Sequence, residues 1–268
     1  MALRAQNFPG PILGWDKDQE QLHIALQRGA LTEIVDDPIS AASAADLILL
    51  AGPVFTILDW MEQLAPILLP HQLITDVGSV KNPMLQRAQM LYAGAGRADF
   101  LGGHPMSGKE VFGVSYAEAN LFHGSVWLFT PDKQAPQHPL AAEWRSWVER
   151  FGSQTLDLDA ERHDELCAWV SHMPQMLATA LSALYQDHFG EAEDMRAIGG
   201  RALREMTRLG ASPYSMWRDI AHTNADAIGS AIAALEQRLA HLREHLKTPD
   251  LRDEFNRANA FRNSPPFK

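Results

Sequence analysis

Apolar positions in the first half of the chain come in short runs separated by polar turns. In the second half they recur at helical spacing, so the two halves predict different architectures. Pro11 to Trp15 is an apolar run ending in Asp16, Asp46 to Ala51 reads as a buried strand stopped by Gly52-Pro53, and Leu73 to Val77 is a third run broken at Gly78-Ser79. Further strands are expected near Phe100, over Val126 to Phe129, and at an edge over Thr155 to Leu158. Helices are expected at Gln19 to Arg28, closed by Gly29, at Val54 to Leu69, with Pro66 near its end, and at Trp144 to Phe151. Strands separated by helices predict an α/β fold with a doubly wound parallel sheet.

From Ala160 onward no strand pattern appears. Leu166, Val170, Met173, Leu177, Leu181 and Leu184 mark one helix, which Pro174 is expected to kink because it cannot donate to the carbonyl of Val170. Met195, Ile198, Ala202, Met206 and Leu209 mark a second. A third starts at Ser212-Pro213 and keeps one apolar stripe from Trp217 through Asn224 to Leu242, which demands a partner surface. The expected domains are 1–158, a sheet domain, and 159–268, all α.

Composition narrows the function. The 268 residues are 46% apolar, enough to build real cores. Cys167 is the single cysteine, so there is no intrachain disulfide and no cysteine-rich zinc motif. The longest charge-free apolar run, Leu47 to Leu58, is interrupted by Pro53 and too short to span a bilayer, and the first residues lack a secretory segment, so a cytoplasmic location is expected. A formal charge of -10 argues against nucleic acid as a partner and requires a local basic concentration for any anionic ligand. Arg201, Arg204 and Arg208, at i, i+3 and i+7, supply one.

The chemistry is expected around Leu73 to Met106. Ser79 and His104 each follow a strand by one or two residues, where reactive side chains of open α/β sheets gather, so both should face one crevice. The glycines before them are read as room for backbone or ligand. Histidine suits a general base at neutral pH. Ser79 would orient the proton transfer by bonding His104 or a substrate hydroxyl, or cap the following helix.

Asp76-Val77-Gly78-Ser79-Val80-Lys81, then Gly102-Gly103-His104-Pro105-Met106-Ser107-Gly108-Lys109-Glu110, Leu121-Phe122, Trp127 and Thr130-Pro131 follow one another in an order that resembles prephenate and arogenate dehydrogenases, the oxidative decarboxylases of tyrosine biosynthesis. The resemblance runs from Met1 to about Ala260. It implies a Rossmann-like nucleotide-binding domain followed by a helical dimerisation domain, a homodimer, NAD as cofactor, and prephenate or arogenate as substrate. His104 would be the catalytic base, with Ser79 beside it at the junction of substrate and cofactor. Arg208, of Thr207-Arg208 nine residues before Met216-Trp217-Arg218-Asp219, would hold the ring carboxylate, with Arg204 on the same helix face and Trp217 reaching in from the other subunit, or else serving as a core aromatic of the third helix. His172 and Gln175 fall in Ser171-His172-Met173-Pro174-Gln175, where the family carries a second histidine in place of Gln175. Glutamine cannot become cationic, which leaves the choice between keto-acid and amino-acid side chains open. Glu110 would shape the pocket entrance. Asp16 would accept the ribose diol and repel a 2'-phosphate, favouring NAD over NADP, and Gly52, Pro53 and Val54 would lie against the nicotinamide ribose.

Asp16 stands where the acid at the end of the second strand is expected, which leaves no room before it for the first strand and its glycine-rich loop. This reading favours a natural start further upstream, because the later motifs are kept; the alternative is a degenerate, cofactor-free homologue that binds an aromatic acid or a partner. Dehydrogenases of the 3-hydroxyacid type are disfavoured, since they place a helical-domain lysine at the catalytic centre and no lysine occurs between Lys133 and Lys247.

Overall fold

The computed structural model describes residues 1–94, 96–109, 111, 113–133 and 138–265. Its elements run α1 (Ala2–Ala5), β1 (Leu13–Gly14), α2 (Gln19–Gln27), β2 (Glu33–Ile34), α3 (Pro38–Ala44), β3 (Leu47–Leu50), α4 (Val54–Leu64), β4 (Leu73–Asp76), α5 (Asn82–Tyr92), β5 (Asp99–Pro105), β6 (Val126–Thr130), α6 (Pro139–Arg150) and β7 (Gln154–Asp157). Helices follow: α7 (Ala160–Cys167), α8 (Met173–Phe189), α9 (Glu193–Ile198), α10 (Gly200–Thr207), α11 (Tyr214–Thr223), α12 (Ala225–Glu244) and α13 (Asp250–Arg262).

The central apolar run forms a strand because both of its faces are covered. Every residue of β4 is buried, and Ile57, Met61 and Met84 of α4 and α5 pack with Ile74 on one side. On the other side Leu73, Leu101, Trp127 and Phe129 pack with Trp144 and Val148 of α6. The main sheet has the order β3-β4-β5-β6-β7, and β1 with β2 forms a separate two-stranded parallel sheet. The expected parallel arrangement holds through β3, β4 and β5, but β6 runs antiparallel to β5, with Gly103 opposite Phe129 and His104 opposite Leu128.

The glycines before His104 serve this packing. A Cβ on Gly102 would meet Thr130 Oγ1, and one on Gly103 would stand 2.6 Å from the carbonyl oxygen of Asp76 and 3.1 Å from Trp127 Nε1. They are small so that β5 can sit against β4 and the tryptophan, so of the two readings, room for backbone or for ligand, it is backbone that comes close here.

The helical half also differs from its periodicity. Where a proline kink was expected, a π-helical turn spans Ala168–His172 and places Pro174 in the first turn of α8, where a missing N–H costs little. The expected single helix from Pro213 to Leu242 is two, α11 and α12, broken at Asn224 with φ −121 and ψ 29. The second expected helix divides at Gly199-Gly200 into α9 and α10. No described helix is long and apolar enough to cross a membrane.

Two buried acids dock the halves. Asp164 of α7 accepts from Lys81 N at 2.7 Å and Asn82 N at 2.8 Å, and Asp219 of α11 accepts from Phe55 N at 3.2 Å. Neither α5 nor α4 has a side-chain cap of its own. The helical half therefore supplies carboxylates to the exposed N–H groups and positive dipole ends of both helices. The expectation that Ser79 caps α5 is corrected by Asp164, which occupies that role from 83 residues away.

Candidate active site

His104 lies near the end of β5, 8% exposed, and meets the first helix of the second half. Its Nδ1 is 2.9 Å from His163 Nε2, and His163 Nδ1 is 2.7 Å from Asp164 Oδ1. Cys167, one turn on, sets its Sγ 3.6 Å from His163 Nε2 and 3.9 Å from His104 Nδ1. His163 and Cys167 are fully buried.

The hydrogen-bond directions follow from Asp164. Its carboxylate accepts from two backbone N–H groups, so His163 Nδ1 carries a hydrogen and donates to it. His163 Nε2 is then an acceptor, and His104 Nδ1 must donate to it. The remaining nitrogen, His104 Nε2, is left as a bare lone pair. Burial, with His163 and Lys81 adding to it, pushes the His104 pKa well below the ordinary 6.5, so the ring is a neutral acceptor. Burial also lowers His163, with Asp164 opposing the shift.

Asp76 and Lys81 form a buried ion pair beneath this cluster. The Asp76 carboxylate also accepts from Gly78 N at 2.8 Å and Gly103 N at 3.1 Å, so the pair is well satisfied and fixes both turns that bear Ser79 and His104. Ser79 is part-buried, and its hydroxyl has no hydrogen bond among the described residues. The expected bond from Ser79 to His104 is absent: the partner of His104 is His163.

His172 is fully buried at the end of the π turn. Asn224, from the break between α11 and α12, places its amide 3.2 Å from His172 Nδ1 and donates to Asp164 O at 2.9 Å. Trp217 packs edge-on to His172 at 5.8 Å between ring centroids, within the core of its own chain. His172 Nε2 and Trp217 Nε1 are buried polar atoms without a hydrogen bond among the described residues. Burial pushes His172 down to about 4.

Gln175 is 3% exposed and spends both amide hydrogens inside the fold, on Thr179 Oγ1 at 3.1 Å and Leu209 O at 2.8 Å. It ties α8 to the 3-10 turn Arg208–Ala211, whose first residue is the expected anchor. Arg208 is exposed there, past the end of α10 that carries Arg204, and Arg201 pairs with Glu205. An open concavity of about 300 Å³ nearby is lined by Ser182, Tyr185, Met195 and Thr207, none of them in the His104 cluster. Glu110 lies outside the described residues.

Asp16 is exposed two residues past β1, with Oδ1 accepting from Asp18 N at 2.9 Å. Asp18, not Asp16, caps α2. Gly52 and Pro53 are exposed past β3, whereas the Val54 side chain is 2% exposed in the core and offers a ligand only its backbone. His163, Asp164, Asp219 and Asn224 were not foreseen. The available signals were an adjacent His-Asp pair one turn before the sole cysteine, and an asparagine inside an apolar stripe.

The description "Prephenate dehydrogenase, nucleotide-binding domain" matches residues 1–154, and "Prephenate dehydrogenase, dimerization domain" matches residues 159–259. The prephenate dehydrogenase of Bacillus subtilis is 29% identical over 98% of this chain and 71% of its own length. Among solved structures, prephenate dehydrogenase from A. aeolicus in complex with hydroxyphenyl propionate and NAD+ is similar with a TM-score of 0.82 and 29% identity, over 97% of this chain and 88% of that one. The arogenate dehydrogenase of Synechocystis is similar with a TM-score of 0.77 and 28% identity, over 98% of this chain and 93% of that one.

Proposed function

The chain belongs to the prephenate dehydrogenase family, a family of oxidoreductases, and from that premise we propose that it oxidatively decarboxylates prephenate or arogenate to 4-hydroxyphenylpyruvate or tyrosine, with NAD as its cofactor. The observation that carries the reading is the run Asp164, His163, His104, which leaves one lone pair on a buried neutral imidazole at a strand's carboxyl end.

The residues past β1 and β3 suit a dinucleotide at two points. Asp16 has a carboxylate oxygen to spare for a ribose diol, and at Gly52 a Cβ would meet nothing nearer than Thr56 at 3.8 Å, so a ribose can lie against the backbone beside Pro53 and Val54. An acid at the Asp16 position favours NAD over NADP. When bound, NAD supplies the hydride acceptor. His104 Nε2 takes the proton of the ring hydroxyl as the carbon bearing it is oxidised, the ring carboxylate leaves as carbon dioxide, and the ring becomes aromatic. The charge arriving on His104 is shared through His163 with Asp164, which stabilises it where water is excluded. Ser79 orients the hydroxyl with an oxygen that has no other task.

Arg208 holds the ring carboxylate, with Arg204 adding positive potential. His172 Nε2, buried and unpartnered, donates to the substrate beside Trp217. Gln175 has no amide hydrogen left for the side chain of the substrate, so it acts by holding the turn that bears Arg208. Large apolar side chains stay exposed on the helices, including Ile198 at 84% and Tyr214 at 77%, which supports a homodimer through this half. A reducing, cytoplasmic setting suits the single thiol.

The test is the purified chain with NAD and either prephenate or arogenate, following NADH and carbon dioxide. Turnover of one of them, lowered at least a hundredfold in His104→Asn, is expected. No turnover of either, with no calorimetric binding of NAD, would overturn the proposal.

A further inference from the structure

The three donor atoms at the centre of the site form a triangle of its own interest. His104 Nδ1, His163 Nε2 and Cys167 Sγ all lie within 4.8 Å of one another and are all buried. Around a tetrahedral zinc ion, bond lengths of about 2.0 Å to nitrogen and 2.3 Å to sulfur put two nitrogens about 3.3 Å apart and nitrogen and sulfur about 3.6 Å apart. The separations here are 2.9, 3.6 and 3.9 Å, so shifts of a few tenths of an ångström admit the ion.

We propose that His104, His163 and Cys167 form a site for a divalent ion of the zinc class, with the fourth position open to water. Two further features point to it. Asp164 already holds His163 by Nδ1, the outer carboxylate that orients a metal-binding imidazole and turns its Nε2 lone pair inward. His163 and Cys167 sit one turn apart on α7, so a rigid helix presents both donors on one face. Charge agrees as well: Asp76, Asp164 and Lys81, all buried around the cluster, carry one net negative formal charge. A dication bound to one thiolate adds a single positive charge and neutralises it.

On binding, metal–nitrogen bonds form to both imidazoles and a metal–sulfur bond replaces the thiol S–H, whose proton goes to solvent. The hydrogen on His104 Nδ1 moves to Nε2. Burial keeps the Cys167 pKa up at about 12 without the ion, so the thiol is inert until a metal displaces its proton. If the dehydrogenase reading holds, on which this clause alone rests, the ion inhibits, because it converts His104 Nε2 from acceptor to donor.

The experiment is a titration of the chelator-treated full chain with cobalt(II), followed by zinc X-ray absorption. A near-ultraviolet thiolate-to-cobalt band is expected at one ion per chain, absent in Cys167→Ser, with zinc bound at least tenfold more weakly by that variant. The zinc shell should contain one sulfur at about 2.3 Å and two nitrogens at about 2.0 Å. Since Cys167 is the only cysteine, a thiolate ligand has one possible source in the sequence. A wild-type shell of nitrogen and oxygen alone, or no cobalt–thiolate band, overturns the proposal, whether or not Cys167→Ser folds. None of these readouts needs turnover, so a chain that binds zinc through sulfur but, in its metal-free form, turns over neither prephenate nor arogenate and binds no NAD would refute the dehydrogenase reading and keep this one.

Discussion

His104 Nδ1 stands 2.9 Å from His163 Nε2, so the proposed base on the sheet is held in its tautomer by a residue of the helical half. Replacing His163 with Asn removes the acceptor for the Nδ1 hydrogen and lets the ring choose the wrong tautomer. A fall in kcat of about a hundredfold or more is expected, with KM within about threefold, because His163 positions the base without touching the substrate. Steady-state kinetics on a variant of unchanged melting temperature checks this; an equal change in KM and kcat would instead mean a general loosening of the site.

Asp164 joins that chain to the cap of α5. In Asp164→Asn one oxygen must serve two backbone N–H groups and His163, and a buried donor goes unpaired. A loss of about 2 to 4 kcal/mol is expected in urea unfolding, against about 1 kcal/mol for Asp219→Asn, which caps α4 through a single bond of 3.2 Å. Equal losses would show that the α5 cap carries no special weight.

Much of this was legible in the sequence where burial was continuous. The run at Leu73 became a strand covered on both faces, and those at Phe100 and Val126 are buried over most of their length, whereas the run at Leu47 leaves Leu49 exposed on one face. Strand direction was not legible, since an apolar run reads the same for β6 whether it lies parallel or antiparallel to β5. The break at Asn224 was hidden because the apolar stripe continues through it, while the asparagine turns aside to Asp164 and His172. Although it lies inside β5, whose pairing with β6 runs on to Pro105, His104 was found from an expected place one or two residues past a strand. Its partner was not, because a contact across 59 residues leaves no local trace, and His163-Asp164 reads locally as a polar first turn.

Gly103 tests whether the base is placed by the sheet. An added Cβ would lie 2.6 Å from the Asp76 carbonyl oxygen, which is backbone and cannot swing away. Gly103→Ala should cost about 1 to 3 kcal/mol of stability and displace His104, lowering kcat more than the stability loss accounts for. The same variant with normal kcat would mean that β5 has slack at this point.

Arg208→Ala removes the proposed carboxylate partner. A rise in KM of roughly ten- to a hundredfold is expected, the equivalent of about 1.5 to 3 kcal/mol for a charge-assisted bond, and Arg208→Lys should recover only part of it because a lysine cannot grip a carboxylate with two parallel bonds. Arg204→Ala should cost less than Arg208→Ala. An unmoved KM in Arg208→Ala would assign the anchor elsewhere.

His172 makes the fold sensitive to acid. Its pKa falls from the ordinary 6.5 to about 4, first because it is buried, so the unfolded chain binds a proton on this ring at pH values where the folded chain does not. Stability from this group is therefore fully present above pH 6.5 and is lost as pH falls towards about 4, where the folded ring also protonates. The loss across that window is about 3 kcal/mol. In His172→Asn, which cannot titrate, unfolding free energy should start lower at pH 7 but decline less steeply between pH 6.5 and 4, and the difference between the two slopes isolates this ring from the other buried histidines. Parallel curves for the two proteins would mean that His172 already binds its proton in the folded state, and with it would fall its role as a neutral donor beside Trp217.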